Sequence, residues 1–178
     1  MSLRHAVLGL IVQAPGCSGY DLLKIFEISL AHVWQATQSQ IYGELGKLAA
    51  DGLIEVASEG PRGRKEYAPT EAGRDELRRW LTGTPPRRVT RDEALLRVFF
   101  LGSIPHDQAR DYLRREADDA AAGYDELIDL EHSLDWTQDT MAEFGRIALE
   151  FGQRYMAMRR DWAQWALTQL EARFRETT

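Results

Sequence analysis

The spacing of apolar side chains changes period twice along the first half of the chain, and each change marks an element. Leu3 to Val12 reads as a short helix with Ala6, Val7, Leu10 and Ile11 on one face, broken by Ala14-Pro15-Gly16. Ser18 suits the N-cap of a second helix, whose Leu22, Leu23, Phe26 and Leu30 recur at helical spacing. Thr37-Gln38-Ser39-Gln40 matches a capping box, in which a hydroxyl and an amide three residues on satisfy two otherwise orphaned amide groups. The third helix it opens runs to about Asp51, buries Ile41, Leu45 and Leu48, and ends at Gly52. There the helical period stops. Leu53-Ile54-Glu55-Val56 and Lys65-Glu66-Tyr67-Ala68 are short β-prone runs on either side of Gly60-Pro61-Arg62-Gly63, which has turn chemistry, so together they predict a hairpin. Pro69-Thr70 then caps a fourth helix carrying Leu77, Trp80 and Leu81. Three helices, a hairpin and a further helix are the layout of a winged helix-turn-helix.

Thr82-Gly83-Thr84-Pro85-Pro86 is the clearest linker, because paired prolines do not continue a helix. Beyond it the pattern is helical throughout. Asp92 to Leu101 carries Ala94, Leu95, Val98 and Phe99, and Ser103-Ile104-Pro105 starts a longer helix to about Ser133. Asp135-Trp136-Thr137 turns the chain into a last helix from about Asp139 to Arg175. In that helix Phe144, Phe151, Met158, Trp165 and Ala172 recur every seven residues, with Ala148, Tyr155, Trp162 and Gln169 four after the first four of them. This a/d pattern extends over roughly four heptads of a helix about 55 Å long. One preceding helix covers only part of such a seam, and a second copy of the chain is the economical partner. The expected dimer contacts are Phe144, Phe151, Tyr155, Met158, Trp162 and Trp165, the alternative being a seam buried within one chain. The fold class is therefore mainly α: a winged helix-turn-helix over residues 1–84 and an all-α dimerisation domain of long antiparallel or coiled-coil-like helices over residues 91–178.

Composition narrows the function classes. Apolar residues make up 44% of the 178 positions and charged residues 28%, which supports a packed core. No apolar run approaches the roughly 20 residues that span a bilayer, and the N-terminus lacks a signal-peptide pattern, so a cytoplasmic location is expected. Cys17 is the single cysteine, which excludes an intrachain disulfide; it reads as a small buried side chain or as a redox-sensing thiol. The net charge of −6 opposes a nucleic-acid partner only on average, since residues 1–83 carry a balance of −1 and residues 84–178 a balance of −5. The N-terminal half is left room for a local basic patch.

The third helix is the candidate reading head. With its apolar side packed inward, Ser39, Gly43, Gly46 and Ala50 fall on the opposite face with Lys47 close by, flanked by Gln40 and Tyr42. Small residues let a helix backbone sit deep in a major groove about 12 Å wide, while Ser39, Gln40, Tyr42 and Lys47 supply donors to phosphates and base edges. Close packing against another helix is the competing reason for the two glycines. At the hairpin tip Arg62, Arg64 and Lys65 can bridge to phosphates and release counterions. Catalysis finds little support. His5, His32, His106 and His132 fall in no metal-ligand spacing, and no nucleophile elbow, P-loop or dinucleotide fingerprint is present, so neither an enzyme nor a cofactor or metal is expected.

Three strings carry a family likeness: Ser18-Gly19-Tyr20-Asp21-Leu22, Val33 to Leu45 (VWQATQSQIYGEL), and Leu48 to Leu53 (LAADGL). With the basic loop Arg62 to Lys65, Tyr67 and Thr70-Glu71-Ala72-Gly73, they resemble the DNA-binding domain of the PadR family. Arg91 to Gly102 and the helix after Pro105 are similar to that family's C-terminal helical domain of the virulence-activator type. The resemblance spans nearly the whole chain. It implies a homodimeric repressor that presents two recognition helices to a palindromic double-stranded operator, with half-sites about 34 Å apart. It also implies release by a small aromatic effector, for which Trp34, Trp80, Phe99, Phe100 and Trp136 are candidate contacts. Gly43 and Gly46 stand where many members carry proline or a basic residue, so this reading helix brings fewer cations. The alternative function is a helical interaction module that uses the winged-helix surface for protein contacts.

Overall fold

The computed structural model describes residues 2–29, 36–83, 85–86, 92–136 and 140–177. The chain divides into two compact units, Met1–Arg87 and Arg88–Thr178.

The first unit contains α1 (Ser2–Gln13), α2 (Gly19–Ser29), α3 (Gln38–Ala50), strands β1 (Ile54–Glu59) and β2 (Lys65–Pro69), and α4 (Glu71–Gly83). Its core joins Val7, Leu8, Leu10 and Ile11 of α1 to Leu22, Leu23 and Phe26 of α2, Ile41, Leu45 and Leu48 of α3, and Ile54 of β1. Leu8 is fully buried although it lies off the one-sided stripe expected for α1, because α1 packs against α3 on one flank and α4 and β2 on the others. Leu30 lies outside the described residues.

Local chemistry sets the boundaries. The Ser18 hydroxyl accepts from the Asp21 amide at 3.3 Å, and the Asp21 carboxylate accepts from the Ser18 amide at 3.0 Å, a reciprocal cap at the start of α2. At the end of α3, Gly52 takes φ 69° while its amide and that of Leu53 donate back to Ala49 and Leu48, a left-handed stop that strongly favours glycine. The strands pair antiparallel from Ile54–Pro69 to Glu59–Lys65, with a bulge at Ala57, so β1 runs three residues past Val56. The loop before α2 lies along β2 as well: Tyr67 donates to the Cys17 carbonyl at 3.1 Å, and Gly16 donates to the Tyr67 carbonyl at 2.9 Å.

Thr70 starts α4 by donating to the Gly52 carbonyl at 2.7 Å and accepting from the Gly73 amide at 3.1 Å. A β-carbon on Gly73 would fall on the Leu53 carbonyl oxygen, so the helix meets the backbone of the turn before β1 directly. α4 continues through Gly83, into the stretch expected as linker, and Leu81 is 65% exposed, not on the packed face. That face is held by Leu77 and by Trp80, which stacks on His5 with centroids 4.8 Å apart and an interplanar angle of 7°. His5 Nε2 also lies 3.1 Å from Glu76 Oε1.

The hydrogen bond from His5 holds the Glu76 carboxyl below its usual pKa against the opposing effect of burial, with Arg79 and Arg4 adding to the lowering. A carboxylate depressed on folding stabilises the fold above the ordinary glutamate range and loses that contribution as pH falls through its lowered pKa. Melting followed from pH 6 down to about pH 3 should therefore decline less steeply in Glu76→Gln than in the parent. Equal slopes would remove Glu76 from the acid sensitivity of this unit.

The second unit holds α5 (Glu93–Phe99), α6 (His106–Ser133) and α7 (Thr140–Thr177). Asp92 caps α5 by accepting from the Leu95 amide at 3.1 Å. Of the apolar positions read for this helix, Ala94 and Val98 are half-buried while Leu95 and Phe99 are exposed, Phe99 to 83%; Leu96 and Phe100 are exposed as well. α6 and α7 form an antiparallel pair. Ala109, Leu113, Ala117, Ala120 and Leu127 of α6 are buried, as are Leu149, Gln153 and Ala163 of α7. The helices approach closely where glycine faces a long side chain, Gly123 against Met156 and Gly152 against Leu127. Arg159 to Glu116 at 2.9 Å and Gln153 to Glu131 at 2.9 Å add polar ties along the pair.

Candidate nucleic-acid interface

The capping box seen in the sequence is formed. Thr37 Oγ1 accepts from the Gln40 amide, and Gln40 Oε1 accepts from the Thr37 amide at 2.8 Å. Gln40 Oε1 is thereby committed to the cap, leaving its Nε2 as the outward donor. Ser39 is exposed beside it, with its hydroxyl 3.0 Å from that of Thr37.

One turn along, Gly43 and Gly46 are exposed, and an added β-carbon at either would meet nothing within 4 Å. Close packing inside the unit is therefore not what keeps them small. Lys47 is exposed and paired with Glu44 of the same helix at 2.8 Å, so part of its charge is offset locally.

Tyr42 leans from α3 over the start of α2, where a β-carbon on Gly19 would come within 2.8 Å of its ring. Tyr42, Gly19, Tyr20, Ser18, Tyr67 and the wing residues Gly63, Arg64 and Lys65 line one open cleft of about 500 Å³. Burial raises the Tyr67 phenol above its usual pKa, with the nearby Tyr42 adding to it, so the hydroxyl stays protonated as a donor. Tyr20 and Tyr67 were not among the expected contacts. Tyr20 is 56% exposed under the Lys24 ammonium, which sits 4.7 Å from the ring centroid, and its place beside Gly19 at a helix start was the available signal.

The wing is less uniformly basic than its sequence. Lys65 is exposed, and the Arg62 side chain lies outside the described residues. Arg64 turns inward. Its Nη2 donates to Asp21 Oδ2 at 2.8 Å, and its Nε lies 3.8 Å from Glu66 Oε1. Hydrogen bonds from the Ser18 hydroxyl and amide, with Arg64 adding to them, hold the Asp21 carboxyl below its usual pKa.

On α7, Phe144, Phe151, Met158 and Trp165 are each more than half exposed, and Tyr155 is exposed as well. Trp162 is half-buried in its own chain. Ile147, 61% exposed, widens the stripe beyond the expected positions. The face of α7 that meets α6 is the opposite one, through Leu149, Gln153 and Ala163.

Among the aromatic residues considered for an effector, those of the second unit lie apart from one another. Trp34 lies outside the described residues, and Trp80 is engaged with His5 in the first unit. Phe99 and Phe100 meet edge to face before α6, whereas Trp136 follows it, donating to the Glu131 carbonyl at 2.8 Å. The 28 residues of α6 put about 40 Å between those two places. Phe100 does line a wide groove of about 980 Å³ with Leu96, Leu101, Ile104 and Tyr112, beside Asp92, Glu93 and Arg97. Among the described residues, no group of three or more His, Cys, Asp or Glu side chains is placed to hold a metal ion, and no helix is long and apolar enough to cross a membrane.

Residues 7–79 match the PadR-like family of transcriptional regulators, and residues 90–171 match the C-terminal domain of virulence activator alpha. The negative transcriptional regulator PadR of Bacillus subtilis is 33% identical over 137 residues, covering 75% of this chain and 73% of that one. Bacillus subtilis PadR in complex with operator DNA superposes with a TM-score of 0.81 at 27% identity, covering 96% of this chain and 99% of that one. The same protein in complex with p-coumaric acid gives 0.81 at 26% identity, with the same coverage.

Proposed function

The chain belongs to the PadR-like family of transcriptional regulators, and from that premise we propose that it represses transcription as a homodimer on a palindromic operator until a small aromatic acid releases it. The family is one of regulators, not enzymes. The observation that carries the reading is the bare outward face of α3, where Gly43 and Gly46 face open space between a capped helix start and a basic wing. That face offers backbone depth for a groove, with Ser39, Gln40 Nε2, Tyr42 and Lys47 as donors around it. Arg62 and Lys65 reach the flanking phosphates from the wing.

The first unit is then the DNA-binding domain and the second the dimerisation domain. The exposed seam of α7 takes a second copy, which spaces two reading heads about one helical turn of DNA apart, roughly 34 Å. The location that goes with this reading is the cytoplasm. For the effector, p-coumarate in the relative is a flat ring bearing a carboxylate. In this chain the groove beside Phe100 and Tyr112 has aromatic walls that suit such a ring, and its Arg97 guanidinium is paired with Glu93 on the same rim.

Gel-shift titration against the region upstream of the chain's own gene tests the regulator reading. Affinity should fall steeply with salt, and a panel of phenolic acids including p-coumarate should release the duplex. Absent or salt-insensitive binding would overturn the operator reading. Binding that no phenolic acid disturbs would overturn the effector.

A further inference from the structure

At the tip of the wing Lys65 is exposed, whereas the exposed Arg64 is paired back onto α2. Arg64 follows the tight turn Pro61–Gly63, and its guanidinium reaches α2, where Nη2 meets Asp21 Oδ2 at 2.8 Å. That same oxygen accepts from the Ser18 hydroxyl at 2.7 Å and the Ser18 amide at 3.0 Å, so Asp21 is already fixed by the cap of α2 before Arg64 arrives. The lower part of the wing is held separately, by the exchange of backbone hydrogen bonds between Tyr67 and the Gly16–Cys17 segment. A hairpin attached only there can swing about that line. A second attachment nearer the tip removes the swing.

We propose that Arg64 is a positioning residue, a strut that sets the pitch of the wing against α2 through Asp21, and that it is not one of the phosphate contacts. The proposal rests on the operator reading above, since the wing's pitch matters to a duplex lying against α3. Asp21 makes the two roles separable. It is a partly exposed carboxylate at the start of α2 whose pairing offsets the Arg64 charge, so if Arg64 served phosphates, removing Asp21's charge would free Arg64 and relieve repulsion. If Arg64 is a strut, removing that charge releases the wing.

The experiment compares Arg64→Gln, Asp21→Asn and the swapped pair Asp21→Arg with Arg64→Asp, using the full-length chain and its operator across a salt series. Asparagine at 21 keeps an oxygen for the Ser18 amide, and melting curves confirm that each variant is folded. The expected result is that Asp21→Asn weakens binding about as much as Arg64→Gln, roughly three- to tenfold, the scale of an exposed ion pair present in both wings of a dimer. The salt slope should stay that of the parent in both, and the swapped pair should recover part of the loss. Tighter or unchanged binding by Asp21→Asn, or a slope reduced by about one per protomer in Arg64→Gln, would overturn the strut. Hydrogen exchange at the Tyr67 and Gly16 amides gives a reading without DNA: faster exchange in both variants supports the strut, and parental rates overturn it. If the parent itself fails to bind the operator, the regulator reading falls while the exchange data still decide the role of Arg64.

Discussion

A chain carrying Phe151→Asp is expected to fold normally, sediment as a single copy and bind operator at least about a hundredfold more weakly than the parent. Phe151 is 72% exposed in the chain and lies in a stripe with Phe144, Ile147, Tyr155, Met158 and Trp165, so its own fold owes it little. Leu149 and Gln153 make the contact with α6 and are untouched. In a two-fold dimer each substitution acts twice. Burying a phenylalanine contributes about 1.5–3 kcal/mol, so two contribute about 3–6 kcal/mol, before the cost of desolvating two carboxylates. A hundredfold change needs only about 2.7 kcal/mol. Sedimentation equilibrium and gel shift report the two halves of the expectation independently. A Phe151→Asp protein that remains dimeric would show that the seam is not where copies meet.

Replacing both Gly43 and Gly46 by alanine should move stability and binding in opposite directions. Both glycines sit in helical backbone with open space around the missing β-carbon, so each alanine should stabilise α3 by about 1 kcal/mol. For a unit of this size, that amounts to a rise of about 4–8 °C in melting temperature for each kcal/mol. The same methyl groups project from the face assigned to the major groove, where an overpacked contact costs about 1–3 kcal/mol, so operator affinity should drop about tenfold or more. Calorimetry and gel shift on one preparation provide both readings. A more stable protein that binds DNA as well as the parent would mean that another face of α3 enters the groove.

Features governed by local spacing were legible in the chain. The Thr37–Gln40 box, the stop at Gly52 and the heptad seam depend on residues close in sequence, and the chain forms the first two and leaves the seam exposed. Features set by tertiary neighbours were not. Leu8 looked peripheral because α1 was read as one-sided, yet α4 and β2 cover that flank. The exposure of Leu81, Leu95 and Phe99 was not legible, because an apolar residue at helical spacing carries no label saying whether another element will cover it. The pairing of Arg64 was not legible because its partner, Asp21, lies 43 positions away and a charge count does not pair charges. The aromatic side chains considered for an effector were grouped by type, and α6 sets Phe99 and Phe100 far from Trp136.

The contact between Gly73 and the Leu53 carbonyl gives α4 a mechanical property. Two helices that meet through side chains can slide by a rotamer change, but backbone seated on backbone leaves no cushion to deform. Thr70 pins the same junction through the Gly52 carbonyl. The start of α4 is therefore seated firmly on the turn that leads from α3 into β1, a closeness set by the lack of one methyl group.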